Sequence, residues 1–495
     1  MKHRIDPDGT RLPVKLDPTS NGEFVPIPLS EVNRAANRLA QEQAGANARR
    51  RGVGRRDFLL SACGVASTLL AFNAANAAAG KRGGWFDVDA EAALDPQLAA
   101  AQVEGDEFIF DVQGHFVDPN GAWLQKVQAG AEPFTWAPKA SCALAAEPGE
   151  RSYLRCLGPE EFVKDVFLDS DTDMMVLSFV PSRRDAEPLT IAAADATRRI
   201  IDRMEGTHRL LLHGRVNPNQ PGDVEAMDEL KERWRVSAWK TYTQWGPDGK
   251  GFFLSDEVGL RFIERARALG VKVICVHKGL PFGRQSYEHS QCSDVGVVAK
   301  RFPDVGFLIY HSGFVAGNAE RAYDARAARD GVDTLIRSLV DNGVPPNSNV
   351  YAELGSTWRF VMRDPDSAAH LLGKLLTYVG EDNVLWGTDC LFYGSPQPLI
   401  QALRTFQISE ELRERHGYPK LTKELKAKIL GLNGAALYGV EPNTSTCEFT
   451  RRELEQIRRT LPGTTMALGP TTMADVQAFR EDDRELWARS AELLA

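Results

Sequence analysis

The stretch SDEVGLRFIERARALGVKVICVHKG, residues 255–279, contains a predicted helix followed directly by a predicted strand, and this unit decides the fold. Ser255 is predicted to cap the helix, an apolar stripe runs along it from Val258 to Leu269, and Gly270 ends it. The β-branched run VKVICVHKG that follows is typical of a buried strand. Repetition of such a unit along a chain predicts a parallel sheet with helices packed on its outside.

The same alternation of helical patterns and short apolar runs extends over residues 108–440. Because nearly continuous apolar runs are typical of strands buried on both faces, we predict an α/β fold in which these strands close into a (β/α)8 TIM barrel. The alternative is an open doubly wound sheet, but no GxGxxG or GxxxxGK[ST] motif follows any run. The predicted strands are 108–116, 174–182, 210–218, 236–245, 271–279, 305–313, 349–357 and 383–390.

Composition sets limits on the class of protein. The chain has 495 residues, of which 43% are hydrophobic and 25% charged, with a formal net charge of −8. These values are typical of a folded globular protein. The acidic balance disfavours a nucleic-acid partner, because such partners require a basic face. The composition therefore predicts no nucleic-acid partner.

Polar side chains suited to catalysis fall at the ends of the predicted strands. In a parallel barrel these ends share one mouth, where active sites lie. Imidazoles and a carboxylate meeting at one mouth match the ligands of a catalytic Zn²⁺ or similar divalent ion. The candidates are Gln113, His115, Lys240, His277, His311, Glu353 and Asp389.

The motifs that carry these residues resemble the amidohydrolase superfamily. They are most similar to its amidohydrolase-related branch, which contains aminocarboxymuconate-semialdehyde decarboxylase and γ-resorcylate decarboxylase. The resemblance spans residues 108–440 and implies a metal-dependent hydrolase or carboxy-lyase. The motifs are DVQGH at 111–115, VHKG at 276–279, YHSG at 310–313, WGTD at 386–389 and LNGAALYGV at 432–440.

The resemblance implies a role for each matching residue. His115, His277 and Asp389 are expected to bind one divalent metal ion, with Zn²⁺ favoured and Mn²⁺ as the alternative. His311 is expected to orient the substrate or carry a proton, and Asp389 to be the main proton-transfer group. The reaction is either hydrolysis of a small organic acid, amide or ester, or non-oxidative decarboxylation of a small aromatic or unsaturated acid. A homodimer is also expected.

One residue departs from the family pattern. The first strand usually carries His-x-His or Glu-x-His, whereas this chain has Gln113-Gly114-His115. Because a glutamine carbonyl oxygen is neutral, we predict a mononuclear site of altered metal preference with Gln113 as a neutral ligand. A non-catalytic barrel that acts as a binding protein is the competing interpretation. Retention of the histidines and of Asp389 favours catalysis, since buried polar groups are costly to keep without a role.

Lys240 and Glu353 are candidate substrate-binding residues. Lys240 would place a cation at the mouth for a substrate carboxylate, and a structural ion pair is the alternative. Glu353 would pair with Lys240 or with the substrate, and a solvated carboxylate is the alternative.

The N-terminal region resembles a twin-arginine export signal. Arg55 and Arg56 precede FLL and a short apolar stretch, and small residues around Ala77 resemble a cleavage site. We therefore predict a leader over residues 1–79, disordered before Arg49, that directs the chain through the twin-arginine export machinery to the periplasm. A membrane anchor and a buried helix are the alternatives.

The remaining segments flank or interrupt the barrel. Residues 80–107 form an N-terminal segment, and residues 118–165 form a long loop after the first strand that we predict to be a lid or subunit contact. Residues 441–495 are predicted to be a C-terminal helical extension. Cys142 and Cys156 lie close enough in sequence to pair in an oxidising compartment.

Overall fold

The computed structural model describes residues 12–128, 131–135, 137, 151–205, 208–281 and 286–442. The strands are β1 Gly84–Phe86, β2 Phe110–Gly114, β3 Met174–Leu177, β4 Leu210–Arg215, β5 Ala238–Tyr242, β6 Val273–His277, β7 Gly306–Tyr310, β8 Val350–Glu353, β9 Val384–Leu385 and β10 Phe406–Ile408. The helices are α1 Glu31–Arg51, α2 Arg55–Leu59, α3 Ala62–Ala78, α4 Pro96–Val103, α5 Pro159–Phe162, α6 Ile191–Glu205, α7 Met227–Glu232, α8 Glu257–Leu269, α9 Tyr287–Ser290, α10 Val295–Arg301, α11 Val332–Asn342, α12 Thr357–Val361, α13 Pro365–Tyr378, α14 Gln397–Thr405, α15 Glu410–His416, α16 Lys423–Ala427 and α17 Asn433–Tyr438.

Strands β2 to β9 form one parallel sheet in chain order, with each strand paired to the next. A parallel bridge between Gly114 and Cys390 joins the end of β2 to the residues after β9. The backbone N–H of Asp389 also donates to the carbonyl of Gln113 at 2.9 Å. The predicted (β/α)8 barrel is confirmed, and each predicted strand overlaps an observed one.

Apolar side chains fill the barrel interior below the mouth. Since successive side chains of a strand point to opposite faces, Cys275 and His277 on β6 both point inward, with Cys275 in the packed layer and His277 above it. The polar residues at the strand ends therefore lie directly above a packed apolar layer. The packed layer comprises Phe110, Val112, Met174, Val176, Ala238, Cys275, Leu308, Tyr310, Leu385 and Ala435.

Helix α8 begins one residue later than its sequence indicates. The predicted Ser255 cap was wrong, because Asp256 occupies the N-cap position. The Asp256 carboxylate instead accepts a hydrogen bond from the Phe253 N–H at 2.8 Å. Gly270 ends the helix as predicted, with a φ of 77° that favours glycine.

Residues 12–78 are folded against the barrel, so the prediction of disorder before Arg49 was wrong for residues 12–48, while residues 1–11 lie outside the described residues. Helix α1 begins at a Ser30 cap and packs on α3. Phe72 of α3 is 1% exposed and belongs to the same apolar core as barrel residues. The sequence hid this packing because the buried face of α1 consists of small alanines and polar asparagines, with no large apolar side chain. The buried residues are Asn33, Ala36, Asn37, Ala40, Ala44, Asn47 and Ala48.

The apolar part of the predicted export signal forms α3, which corresponds to the buried-helix alternative. Within the described residues, no helix has the length and apolar character that a membrane crossing requires. Export by the twin-arginine route stays a prediction.

The segment 80–107 joins the N-terminal helices to the barrel. Strand β1 pairs antiparallel with β10, and Lys81 forms an ion pair with Asp364 at 2.6 Å. In the long loop, Cys156 is disulfide-bonded, while its predicted partner Cys142 lies outside the described residues. The predicted C-terminal extension lies outside them from residue 443 onward.

Candidate metal centre at the barrel mouth

The structure brings the predicted site residues to one end of the barrel. Each of them is at most 2% exposed. Their side chains form two neighbouring groups, one around Asp389 and one around His277. The residues are Gln113, His115, Lys240, His277, His311, Glu353 and Asp389.

The first group joins the end of β2 to the end of β9. His115 Nε2 lies 3.1 Å from Asp389 Oδ1. Gln113 Nε2 donates to the same carboxylate oxygen at 3.0 Å and lies 3.3 Å from His115 Nε2. The amide nitrogen of Gln113, which is not a metal ligand, therefore faces Asp389 and His115.

Asp389 is held in its ionised form. Burial alone would raise its pKa, but the hydrogen bond from His115, the nearby imidazoles and the Ser356 hydroxyl together hold its pKa below the ordinary value. Ser356 Oγ donates to Asp389 Oδ2 at 2.6 Å. The carboxylate is thus available as an anionic ligand or proton acceptor.

The second group contains Glu23, His277 and His311. One ligand atom from each lies within 4.8 Å of the others, so these residues are able to share a metal ion. Glu23 Oε1 lies 3.4 Å from His277 Nδ1, and Glu23 Oε2 lies 3.8 Å from His311 Nε2. Burial and the nearby charge of Asp389 raise the pKa of Glu23 well above its ordinary value.

The tautomer of His311 is set by the backbone. Its Nδ1 lies 2.6 Å from the carbonyl oxygen of Gly355 and must donate to it, which leaves a lone pair on Nε2. Burial lowers the pKa of His311 to about 4, so the ring is neutral at pH 7. Within the described residues, Nε2 has no hydrogen-bond partner. A neutral imidazole aimed into the site suits metal binding or substrate orientation.

Glu353 positions His311. Its carboxylate accepts hydrogen bonds from the backbone N–H groups of His311 at 2.9 Å and Gly355 at 2.5 Å. The carboxylate is fully buried, which excludes the solvated alternative. His311 and Asp389 adopt φ values of 61° and 63°, rare for residues other than glycine, so surrounding bonds hold both in strained conformations.

Lys240 is a buried cation on β5. Its ammonium lies 3.3 Å from the centroid of the Tyr310 ring and 4.7 Å from that of Tyr242. Among the described residues it has no hydrogen-bond partner, and none of their carboxylates forms an ion pair with it. Burial lowers the pKa of Lys240 to about 8. The structural ion pair is therefore not the state observed.

Two residues of the N-terminal segment, Asn21 and Glu23, reach the site, and neither was predicted from the sequence. Asn21 Nδ2 donates to Asp389 Oδ2 at 2.7 Å and to Glu23 Oε2 at 2.6 Å. A buried ion pair between Arg359 and Asp17 anchors this segment. In the sequence, the pair Asn21-Gly22 indicates a turn but does not indicate a residue that binds a metal ion or a substrate.

The donor set fits a divalent metal ion. Neutral imidazoles together with carboxylates are typical of catalytic zinc sites. Among the described residues, no N–H or O–H group donates a hydrogen bond to His311 Nε2, as expected of an atom that binds a metal ion. The residues present are therefore compatible with a resident ion.

The fold and this donor set define a (β/α)8 barrel protein with a candidate metal site at its mouth. Residues 110–440 match the family described as Amidohydrolase. The match covers more than half of the chain, and the protein belongs to the amidohydrolase family, an enzyme family. The predicted resemblance to the amidohydrolase superfamily is confirmed over residues 110–440.

Solved structures of several enzymes are similar to this chain. 5-Carboxyvanillate decarboxylase from Sphingomonas paucimobilis is 12% identical with a TM-score of 0.40, and the match covers 68% of this chain and 100% of that chain. 4-Oxalomesaconate hydratase from Rhodopseudomonas palustris is 16% identical with a TM-score of 0.38, and the match covers 67% of this chain and 96% of that chain. An amidohydrolase from Mycobacterium avium subsp. paratuberculosis is 15% identical with a TM-score of 0.39, and the match covers 68% of this chain and 99% of that chain. No curated protein matches the chain significantly.

Proposed function

We propose that this protein is a metal-dependent enzyme that hydrolyses a small organic acid, amide or ester. The observation that carries the proposal is the placement of an ionised Asp389 against His115, beside His277 and His311, at the one mouth of the barrel. A buried carboxylate with imidazoles on one side is suited to move protons at a reacting centre.

Each residue has a distinct part in the proposed reaction. Asp389 accepts a proton from the attacking water and returns it to the leaving group. His311, fixed by the Gly355 carbonyl, orients the substrate through Nε2. His115, His277 and Asp389 would hold the divalent ion, Zn²⁺ or alternatively Mn²⁺. When bound, that ion supplies Lewis-acid polarisation of a substrate oxygen.

A second candidate reaction is non-oxidative decarboxylation. It is favoured by Lys240, whose buried ammonium faces aromatic rings and has no hydrogen-bond partner among the described residues. A buried cation selects an anionic substrate, and every substrate of a decarboxylase carries a carboxylate. Release of CO₂ would distinguish this reaction from hydrolysis.

We further propose that the enzyme acts in the periplasm. The resemblance of the segment around Arg55 and Arg56 to a twin-arginine signal supports this location. That route carries folded proteins, which agrees with a metal acquired before export. A homodimer is proposed on the family resemblance alone.

Elemental analysis of the full-length protein, purified without added metal, tests the function. We expect about one equivalent of Zn²⁺ or Mn²⁺ per chain, and loss of that metal in His115→Ala. His208→Ala is the matched control, because the His208 side chain is 90% exposed. The loaded protein is then screened with amides and esters for acid release, and with carboxylated aromatic acids for CO₂ release. A folded wild-type protein that takes up no metal would contradict the proposal.

Substrate carboxylate binding is expected to depend on Lys240. Lys240→Met should raise KM by roughly 10- to 100-fold, the loss typical of one hydrogen bond to a charged group. In the wild type, KM for an anionic substrate should rise as pH passes about 8, because the ammonium loses its proton there. Lys272→Met is the control, since Lys272 lies on the surface with Asp304. An unchanged KM in Lys240→Met would show that this cation does not contact the substrate.

A further inference from the structure

We propose that Glu23, supplied by the N-terminal segment, is a ligand of the resident metal ion in place of the ligand that β2 lacks. This inference rests on the proposed metal-dependent function. It assigns a role in the active site to a residue that lies outside the barrel and outside the matched family region, residues 110–440.

The spacing of the donor atoms supports a shared ion. Ligand atoms bound about 2.1 Å from one tetrahedral ion lie about 3.4 Å from each other. The observed separations are 3.4 Å from Glu23 Oε1 to His277 Nδ1 and 3.8 Å from Glu23 Oε2 to His311 Nε2. Glu23 Oε1 and Nδ1 of the proposed ligand His277 are therefore as far apart as two ligands of one ion, and one ligand atom from each of Glu23, His277 and His311 lies within 4.8 Å of the others.

The orientation of Gln113 explains why another ligand is needed. Its amide nitrogen donates to Asp389 Oδ1 at 3.0 Å, so this side chain serves Asp389 as a hydrogen-bond donor. Its carbonyl oxygen has no hydrogen-bond partner among the described residues and is neutral, so the end of β2 offers one imidazole, that of His115, and one uncharged oxygen. A carboxylate entering from the N-terminal segment restores the anionic oxygen that Glu-x-His would place on this strand.

Two neighbouring carboxylates also provide a place for a cation. Glu23 and Asp389 present two carboxylates to one buried space, and the Asn21 amide donates to both, at 2.6 Å and 2.7 Å. Two buried carboxylates so close repel each other unless a cation or a shared proton lies between them. Of the described cations, the nearby Lys240 ammonium makes no hydrogen bond to either.

The alternative role for this segment is a plug. In that case Glu23 would imitate a substrate carboxylate and block the mouth without binding metal. Removing its charge would then leave metal affinity unchanged and increase activity. The two roles therefore predict opposite outcomes for the same substitution.

The test is the Zn²⁺ affinity of the full-length Glu23→Gln protein, measured by competition with a chelator. Loss of an outer-shell partner already weakens metal sites by roughly 10- to 100-fold, so we expect more than about 100-fold here. Glu31→Gln is the matched control, because Glu31 lies on α1 with its side chain 82% exposed. Glu23→Gln/Gln113→Glu should recover affinity by returning a carboxylate to β2.

One further variant makes the result decisive. Glu23→Asp keeps the charge and is used if Glu23→Gln does not fold; it should bind Zn²⁺ more weakly at an unchanged melting temperature. Wild-type affinity in the folded Glu23 variants would overturn this inference and leave the proposed function standing. A wild-type protein that binds no metal would overturn both.

Discussion

Asp389→Asn is expected to lower kcat/KM by roughly 10³-fold, within the range that general acid–base catalysis contributes. The substitution keeps the shape of the side chain but removes its charge and its ability to accept a proton. Asp389 lies 3.1 Å from His115 and accepts hydrogen bonds from Asn21 and Ser356. An asparagine amide cannot accept all of these bonds. Because it also lacks the negative charge that attracts a cation, metal content should also fall.

The measurement compares kcat/KM and metal content for the wild type and the variant, with the substrate found in the screen. Asp382→Asn is the control, because Asp382 precedes β9 and its side chain is 56% exposed in an ion pair with Lys428. A variant within about tenfold of the wild type would show that Asp389 is not the proton-transfer group, since such groups contribute at least about 10².

The barrel and most of its site could be predicted because they follow periodic rules. The strands alternate with amphipathic helices, and the barrel geometry brings their ends together, so His277, His311 and Asp389 were expected at one mouth. Backbone geometry around them was not predictable. Glu353 supports His311 through backbone hydrogen bonds that depend on the loop conformation after β8.

Asn21 and Glu23 could not be predicted for a different reason. The hydrogen bond from Asn21 to Asp389 spans 368 positions in sequence. It depends on the path of an irregular segment, which no periodic pattern specifies. The alanine face of α1 was also invisible, because a helix with few large apolar side chains is typical of a surface or disordered region. The resemblance of this region to an export signal also predicted a leader and not a part of the site.

Phe72→Ala is expected to destabilise the purified protein by roughly 3–5 kcal/mol, the usual cost of removing a fully buried phenylalanine. Phe72 is 1% exposed and its ring lies 6.5 Å from that of Phe86, in the core shared with the barrel. Loss of the ring leaves a cavity that the rigid helices around it do not fill. Urea denaturation measures the effect, and Ala74→Ser on the exposed face of α3 is the control.

This prediction distinguishes a protein that keeps α3 as part of its fold from one in which residues 1–79 are removed as a leader. If residues 1–79 remain in the mature protein, its intact mass includes them, and Phe72→Ala lowers the denaturation midpoint whereas Ala74→Ser does not. A cleaved signal would give a mature chain that begins after Ala77, in which neither substitution exists. That outcome would contradict the integral role of α3. It would also remove Glu23 from the site, so the metal affinity of the processed chain would then depend on the barrel residues alone.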